Sequence, residues 1–254
     1  MKKIIIALGL LVVLVYLGCQ KEILPLGGDN GKYSLRLNFS NTVSGAPLLL
    51  GNTYQTPFSE EYTLKTFKYY ISNITLRTTS GAIETVTGYY LINEEEPLSK
   101  IIVIPVSSNR YNQIAFLLGV DSTRNVSGTQ TGALDPANGM FWTWNSGYIM
   151  AKLEATSPVS TETTNKVEYH IGGFKTGQNS TRQINFTLTG ENEITIKNNG
   201  SSQINFTADA NTWFKAVNDL KIVTEPVCVM PGALAMKFAD NYATMFKLTN
   251  VANN

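Results

Sequence analysis

The chain has 254 residues, and 20 lysines and arginines against 19 aspartates and glutamates give it a formal net charge of +1 at pH 7. A nearly neutral chain offers no electrostatic attraction to nucleic acid, so we expect no nucleic-acid partner. The single histidine excludes a zinc site built from two or three imidazoles, and no Gly-x-Ser-x-Gly elbow is present for acyl transfer. We therefore expect a binding protein rather than an enzyme.

The N-terminus has the pattern of a lipoprotein signal peptide. Two lysines, Lys2 and Lys3, precede an uncharged run over residues 4–18 that is too short to span a bilayer comfortably. A glycine stands directly before Cys19, as lipoprotein signal peptidase requires. The pattern predicts that residues 1–18 are removed and that Cys19 becomes the lipidated first residue, with an uncleaved signal anchor as the alternative.

The residues that follow the cysteine indicate where the protein is exported. Gln20-Lys21-Glu22 resembles the export tag of Bacteroidetes surface lipoproteins, which predicts an outer-membrane lipoprotein of the cell envelope that faces either the periplasm or the outside. Residues 19–31 are rich in glycine and predict a flexible tether from the lipid to a domain over residues 32–254. With Cys19 lipidated, Cys228 has no partner for a disulfide.

Alternation of apolar and polar residues dominates the domain and predicts β-strands with one solvated face. The apolar positions are, in chain order, Leu35, Leu37 and Phe39; Phe67, Tyr69 and Ile71; Ile114, Phe116, Leu118 and Val120; and Ile149, Ala151 and Leu153. Shorter strands are predicted at 167–171, 184–188, 194–196 and 204–206. The fold class is therefore all-β, an antiparallel β-sandwich with long loops and one or two short helices.

Two short helices are predicted near the C-terminus. Asp209 is a candidate N-cap for one that carries Trp213, Phe214 and Val217. The other carries three apolar residues on one face: Phe238, Tyr242 and Met245. Both have the pattern of packing elements.

Residues 121–144 have no period, and a loop of this length in a compact domain is either functional or disordered. The tryptophans at its end, Trp142 and Trp144, favour order. Asp121, Asp135 and Asn138 offer oxygens that could bind calcium, but they lack the spacing of an EF-hand and are better explained as turn formers.

Several motifs together resemble the MbnP-like family of exported copper-binding proteins. They are YTLKTFKYYISNITL at 62–76, GVDSTRN at 119–125, GALDPANGMFWTWNSGYIMAKLE at 132–154, YHIGGF at 169–174 and ADNYATMF at 239–246. The resemblance implies a β-rich exported domain and a di-haem partner of the MauG or cytochrome c peroxidase type. In that family the partner oxidises a tryptophan to kynurenine, and the modified protein then binds copper, so the resemblance implies the same here.

The tryptophan pair suits this chemistry, since opening of an indole ring yields an aromatic amine and a ketone. Such an amine, together with imidazole and thioether, suits copper(I). If the segment is extended, Trp142 and Trp144 point to one face together with Met140, which makes Met140 a candidate ligand. The alternative is that both tryptophans only pack, and the sequence does not decide which of them is modified.

His170 is the candidate imidazole ligand, and alternation places it with Glu168 on the face opposite Val167, Tyr169 and Ile171. A structural histidine is the alternative. Members of the family are expected to have further histidines, one of them in the first strand, where this chain has Ser40 and Asn41. Cys228 and the methionines near it are better explained as apolar core residues than as soft ligands.

Two functions remain open. One is a cell-envelope lipoprotein that binds copper after oxidation of a loop tryptophan. The other is a surface-exposed β-sandwich that has kept the scaffold but lost copper, and that uses its aromatic loop to hold a protein or a glycan.

Overall fold

The computed structural model describes residues 33–128, 130–143, 146–197 and 200–253. The predicted signal peptide, Cys19 and the tether therefore lie outside the described residues, as does Trp144. Within the described ranges, no helix is both long enough and apolar enough to cross a membrane.

The described chain folds mainly into strands, as the alternation predicts. They are β1 (Tyr33–Val43), β2 (Ala46–Pro47), β3 (Thr53–Gln55), β4 (Glu61–Thr78), β5 (Ile83–Asn93), β6 (Ile101–Val106), β7 (Arg110–Leu118), β8 (Phe141–Thr143), β9 (Gly147–Thr156), β10 (Lys166–Gly172), β11 (Arg182–Thr187), β12 (Ile194–Thr195), β13 (Ser201–Asp209), β14 (Val227–Cys228) and β15 (Phe246–Asn253). Two α-helices, α1 (Ser122–Asn125) and α2 (Ala233–Tyr242), and short 3-10 turns connect them.

The strands form two sheets, which confirms the predicted sandwich class. The smaller sheet has the order β15-β13-β1, with β2 and β6 also paired to β1. The larger sheet has the order β11-β7-β4-β9-β10-β14, with the short strands β3, β5, β8 and β12 on its flanks. Most pairs are antiparallel, but β1–β13 and β10–β14 are parallel, so the sheets are mixed.

The main core lies between the two sheets and is rich in aromatic residues. Phe39 of β1 stacks on Phe206 of β13 with ring centroids 5.2 Å apart. It also meets Tyr69 and Phe116 of the other sheet edge-on, an arrangement that aromatic pairs favour. All the apolar residues used to predict the four long strands are buried. They face the main core as predicted, except Val120 and Ile149, which pack on the opposite face of the larger sheet.

Three of the longer strands have no counterpart in the sequence analysis, and neither do the short strands β2, β3 and β14. Most of β5 is half-buried or exposed, so its apolar residues do not alternate cleanly. β6 contains Pro105, which lacks a backbone N–H and is tolerated at a sheet edge. β15 has one buried residue, Phe246, and is held chiefly by its pairing with β13.

The two predicted helices form but are shorter than the apolar pattern suggested. Asp209 caps a 3-10 turn, Ala210–Trp213, by accepting a hydrogen bond from the Asn211 backbone N–H at 2.9 Å. That turn ends before Val217, which is exposed, so the prediction of a helix reaching Val217 is wrong. α2 carries Phe238 and Tyr242 into the core, as predicted, whereas Met245 lies beyond its end and is buried.

Candidate metal and redox site

The central loop is ordered by its own side chains and contains three short helical turns. Asp121 accepts a hydrogen bond from the Arg124 backbone N–H and caps α1. Asp135 does the same for the Ala137 N–H at the start of the turn Pro136–Asn138. The Asn138 amide donates to two backbone carbonyls of the same loop. These hydrogen bonds confirm that Asp121, Asp135 and Asn138 form turns.

The loop folds back over the outer face of the larger sheet, where it encloses a second, smaller apolar cluster. We call this the outer cluster; its buried members are Tyr70, Val120, Leu134, Met140, Tyr148, Ile149 and Met150. Phe141, Trp142 and Phe174 pack against it and are partly buried. The loop is therefore a cover on a face of the sheet that would otherwise be solvated.

Side chains of the sheet attach the loop by hydrogen bonds to its backbone. The Tyr70 hydroxyl donates to the Ala133 carbonyl at 2.9 Å, and the Tyr148 hydroxyl donates to the Leu134 carbonyl at 2.8 Å. The Lys152 ammonium donates to the Gly139 carbonyl at 2.6 Å, directly before the aromatic segment. These three bonds hold the residues that lead into Trp142.

Trp142 lies at the rim of the outer cluster and is only partly buried. Met140, Phe141 and Trp142 all contact the cluster, because the pairing of β8 with β9 is irregular between Phe141 and Thr143. The expectation of simple alternation, with Met140 and Trp142 on one face and Phe141 on the other, therefore does not hold. Met150, for which the sequence predicted no position, is a buried member of the same cluster.

The ring of Trp142 rests directly on the backbone of β10 at Gly172. A Cβ atom at Gly172 would lie 2.6 Å from Cζ3 of Trp142 and 2.8 Å from the Tyr148 carbonyl oxygen. Only glycine leaves room for this approach. Gly172 follows His170 by two residues in β10, and the pairing of β10 with β9 shifts between Ile171 and Gly172. Trp142 therefore contacts the strand that carries the only histidine of the chain.

His170 projects from the outer face of β10, as predicted. Val167, Tyr169 and Ile171 are buried on the inner face, and His170 is partly exposed on the other. Its Nε2 atom lies 2.7 Å from Oε1 of Glu154 on the neighbouring strand β9. His170 is therefore hydrogen-bonded, and its side chain is 15% exposed.

Glu154 is the centre of a polar network on this face. Besides His170, it accepts a hydrogen bond from the Thr66 hydroxyl at 2.8 Å, and the Lys152 ammonium lies 3.6 Å from it. The hydrogen bond with His170 is the largest cause that lowers the pKa of Glu154 to about 2, against the opposing effect of burial. Glu154 is therefore a carboxylate throughout the physiological pH range.

Glu168 completes a group of three possible metal ligands. It lies directly opposite Glu154 in the register of β10 and β9, and one ligand atom each from Glu154, Glu168 and His170 lie within 4.8 Å of one another. Glu154 was not identified from the sequence. Alternation after Leu153 places it on an outer face, but only the pairing of the two strands shows that it meets His170.

The comparisons with known proteins agree with this architecture. The MbnP family model matches residues 32–231, which is most of the chain. The chain belongs to the MbnP family. Among solved structures, MbnP from Methylosinus trichosporium matches with a TM-score of 0.52 at 13% sequence identity, over 80% of this chain and 86% of that one. At that identity the likeness concerns the fold. No curated protein gives a significant match.

This MbnP-family chain uses its first strand for packing at the position where a further histidine was expected. Asn41 is buried, accepts a hydrogen bond from the Tyr69 hydroxyl at 2.9 Å and donates one to Glu94 at 2.8 Å. Tyr69 faces the main core, on the side of the sheet opposite His170. A ligand at Asn41 would therefore not join the group around His170.

The soft donors of this MbnP-family chain are spread over different environments. Met140 is fully buried in the outer cluster, beside Trp142. Cys228 belongs to the main core, and burial is the largest cause that raises the pKa of its thiol to about 12. Met230 is exposed, whereas Met245 is buried. The cluster that Trp142 contacts contains two sulfur atoms, those of Met140 and Met150.

Proposed function

We propose that this protein is a copper-binding lipoprotein of the cell envelope, and that Trp142 is oxidised to kynurenine by a di-haem partner of the MauG or cytochrome c peroxidase type. The observation that carries the proposal is the position of the Trp142 ring on Gly172, two residues along β10 from His170. A new amine at Trp142 would then form against the strand that carries the imidazole. Copper binding rather than catalysis is the role we assign.

Accessibility supports Trp142 as the oxidised residue. Trp142 is a partly exposed residue that packs against the outer cluster, whereas Trp213 is fully buried in the main core. Electron transfer to a haem partner needs a side chain that the partner can approach. Trp144, the other candidate, lies outside the described residues, and the experiment below separates the two.

The oxidation is a four-electron step followed by a hydrolysis. With hydrogen peroxide as the oxidant of the haem partner, two molecules insert two oxygen atoms, break the C2–C3 bond of the indole and leave as two molecules of water. The product, N-formylkynurenine, is hydrolysed by water to kynurenine and formate. The net change is the loss of one carbon atom and the gain of one oxygen atom.

We assign two residues of this chain as donors for a copper ion. His170 offers a ring nitrogen, and imidazole is a common copper ligand. Met140 is the thioether closest to Trp142 along the chain, and it packs in the same cluster. Copper bound here would be stored or carried. Lys152 would hold the segment that carries Met140 and Trp142 in place through its hydrogen bond to the Gly139 carbonyl.

Peptide mass spectrometry on the protein from its native host tests the proposal. We expect the peptide with Trp142 and Trp144 to show the exchange of one carbon for one oxygen. The exchange should persist in a Trp144→Phe variant and disappear in a Trp142→Phe variant. An unmodified peptide in the presence of the haem partner would refute the proposal, and a gene for an exported di-haem peroxidase beside this one would support it.

A copper titration tests the ligand assignment on the modified protein. The His170→Ala variant should bind copper more weakly than the wild type, because the only imidazole is lost. The Met140→Leu variant keeps the size of the buried side chain and removes only the sulfur. Unchanged affinity in either variant would remove that residue from the site.

A second function is favoured by a cleft beside the loop. A cavity of about 210 Å³ is lined by residues that include Phe174, Met230 and Pro231, with Ser146 of the loop at its side. Met230 is 70% exposed, which is unusual for an apolar side chain at a cavity. A binding module for a protein or a glycan would use this cleft, and retention on immobilised glycans that a Met230→Lys variant loses would favour that function.

A further inference from the structure

Glu154 and Glu168 stand at a position that a folded sheet ordinarily avoids. They are directly opposite each other in the antiparallel register of β9 and β10, on the same outer face. Like charges at directly opposite positions destabilise a sheet. The pair lies next to the only imidazole of the chain, and a cation bound between the two carboxylates would attract both and offset their mutual repulsion.

The spacing of the donor atoms suits one ion. Metal–ligand distances of about 2.1 Å to nitrogen and oxygen place neighbouring ligand atoms about 3 Å apart. Nε2 of His170 and Oε1 of Glu154 are already 2.7 Å apart. The Glu168 donor lies within 4.8 Å of both, so a rotation of that partly exposed side chain completes the set.

The present partners of the two carboxylates do not prevent this rotation. Glu168 is paired with Lys166 at 2.8 Å, and such an exposed ion pair contributes little in water. Lys152 approaches Glu154 at 3.6 Å, but its ammonium donates its short hydrogen bond, at 2.6 Å, to the Gly139 carbonyl. A divalent ion carries twice the charge of either lysine and can replace the contact with Lys166.

We infer that Glu154, Glu168 and His170 form a binding site for a divalent cation in the unmodified chain, with copper(II) bound more tightly than zinc(II). Two carboxylates and one imidazole are hard and borderline donors, which favour divalent ions over the soft copper(I) ion. Among divalent ions, copper(II) binds most tightly to a given nitrogen and oxygen set. Two carboxylates also neutralise the charge of such an ion.

The inference deepens the proposed copper function and rests on it for the biological role of the ion. Binding itself requires no oxidation of Trp142. The site would receive copper(II) before the indole is modified, and His170 lies two residues along β10 from Gly172, on which the indole rests. Glu154 and Glu168 are thus assigned a role as ligands that neither the family match nor the fold comparison gives them.

The test uses the full chain without a histidine tag, purified from a host that lacks the di-haem partner, with mass spectrometry to verify intact tryptophans. Copper(II) and zinc(II) are titrated separately in competition with a chromophoric chelator. Pulsed electron paramagnetic resonance of the copper(II) form reports any imidazole nitrogen. Because the chain has one histidine, such a signal comes from His170.

We expect one copper(II) ion per chain, a single imidazole signal and weaker zinc(II) binding. The Glu168→Gln variant should lose affinity by about tenfold or more, and Glu154→Gln should do the same. The matched control Glu191→Gln changes an exposed glutamate elsewhere and should bind as the wild type does. Circular dichroism verifies that each variant is folded.

Three results would overturn the inference: no copper(II) binding by the folded wild type, a copper(II) spectrum without an imidazole signal, or unchanged affinity in Glu168→Gln. A Trp142→Phe variant separates the two proposals. This variant should still bind copper(II) in the unmodified chain, although it cannot form kynurenine at position 142. If tryptophan oxidation is absent in the native host while copper(II) binding depends on Glu168, the proposed function fails and this site remains.

Discussion

The two tryptophans that the structure describes lie on opposite faces of the larger sheet, in two unlike apolar regions. Trp213 belongs to the main core, where its ring contacts those of Phe67, Phe238 and Tyr242. Trp142 lies at the rim of the outer cluster, on Gly172. One indole packs helix α2 against the larger sheet, and the other is partly exposed on the strand that carries His170.

The two regions also differ in whether their polar groups are hydrogen-bonded. The Nε1 atom of Trp213 is buried and has no hydrogen-bond partner among the described residues, so the Trp213 ring contributes through packing rather than through a hydrogen bond. Around the outer cluster, by contrast, hydroxyl, amide and ammonium groups bind the loop backbone at several points. The main core is stabilised by buried apolar area, and the outer cluster by hydrogen bonds that position a loop.

The largest expected effect distinguishes the two tryptophans directly. Trp213→Ala should lower the free energy of unfolding by about 3–5 kcal/mol, because it leaves a large cavity in the main core. Trp142→Ala should cost less than about 2 kcal/mol, since its ring is only partly buried. Chemical denaturation of both variants measures the difference, and equal losses would show that the outer cluster is as important for stability as the main core.

The second prediction concerns the amide that ties the loop to the sheet. Asn125 donates to the carbonyls of Val120 and Asp121 and accepts from the Tyr148 N–H, all while buried. Asn125→Ala should cost about 2–3 kcal/mol, because it leaves buried backbone groups without partners. Hydrogen exchange of residues 121–143 should accelerate.

The control for that prediction is Asn138→Ala, which removes the more exposed hydrogen bonds to Gly132 and Ala133 of the same loop. We expect it to cost less than about 1 kcal/mol. A loss as large as that of Asn125→Ala would mean that burial of the amide is not what matters.

The third prediction tests the contact between the indole and the strand. Gly172→Ala should cost about 1–3 kcal/mol, because the new methyl group meets both the Trp142 ring and the backbone oxygen of Tyr148. Gly88→Ala is the matched control, since a Cβ there meets only the side chain of Tyr90, which can move. Thermal unfolding compares the two, and similar midpoints would argue that the ring does not rest on Gly172.

The smallest expected effect is an absence of reaction at Cys228, in the main core. With a pKa raised to about 12 by burial, its thiol should resist iodoacetamide between pH 7 and pH 9 in the folded chain and react rapidly in guanidinium. Since the unfolded thiol ionises near pH 8.5, its contribution to stability is present below that pH and is lost as the pH rises above it. Mass spectrometry of the Cys228 peptide measures the labelling, and rapid labelling at pH 8 would place this residue among the accessible soft donors.

The strands and their faces could be predicted from local alternation. The pattern Val167, Tyr169, Ile171 was enough to place His170 and Glu168 together on an outer face, because side chains of a strand alternate with a period of two. The same logic failed at residues 140–142, where irregular pairing brings consecutive side chains to one cluster. It also missed β5, β6 and β15, whose exposure or edge position blurs the pattern.

The sequence by itself determined the β-rich class, the loop that stands apart from it, the outward direction of His170 and the family that the motifs resemble. These properties follow from periodicity and from short motifs, which are local. Only the tertiary structure decided that Glu154 meets His170, that Trp142 rests on Gly172 and that Asn41, in the smaller sheet, bonds Tyr69 in the main core. Those facts depend on the pairing of β9 with β10 and on the folding back of the loop, because contacts between distant residues are set by strand register and packing rather than by the residues of any one segment.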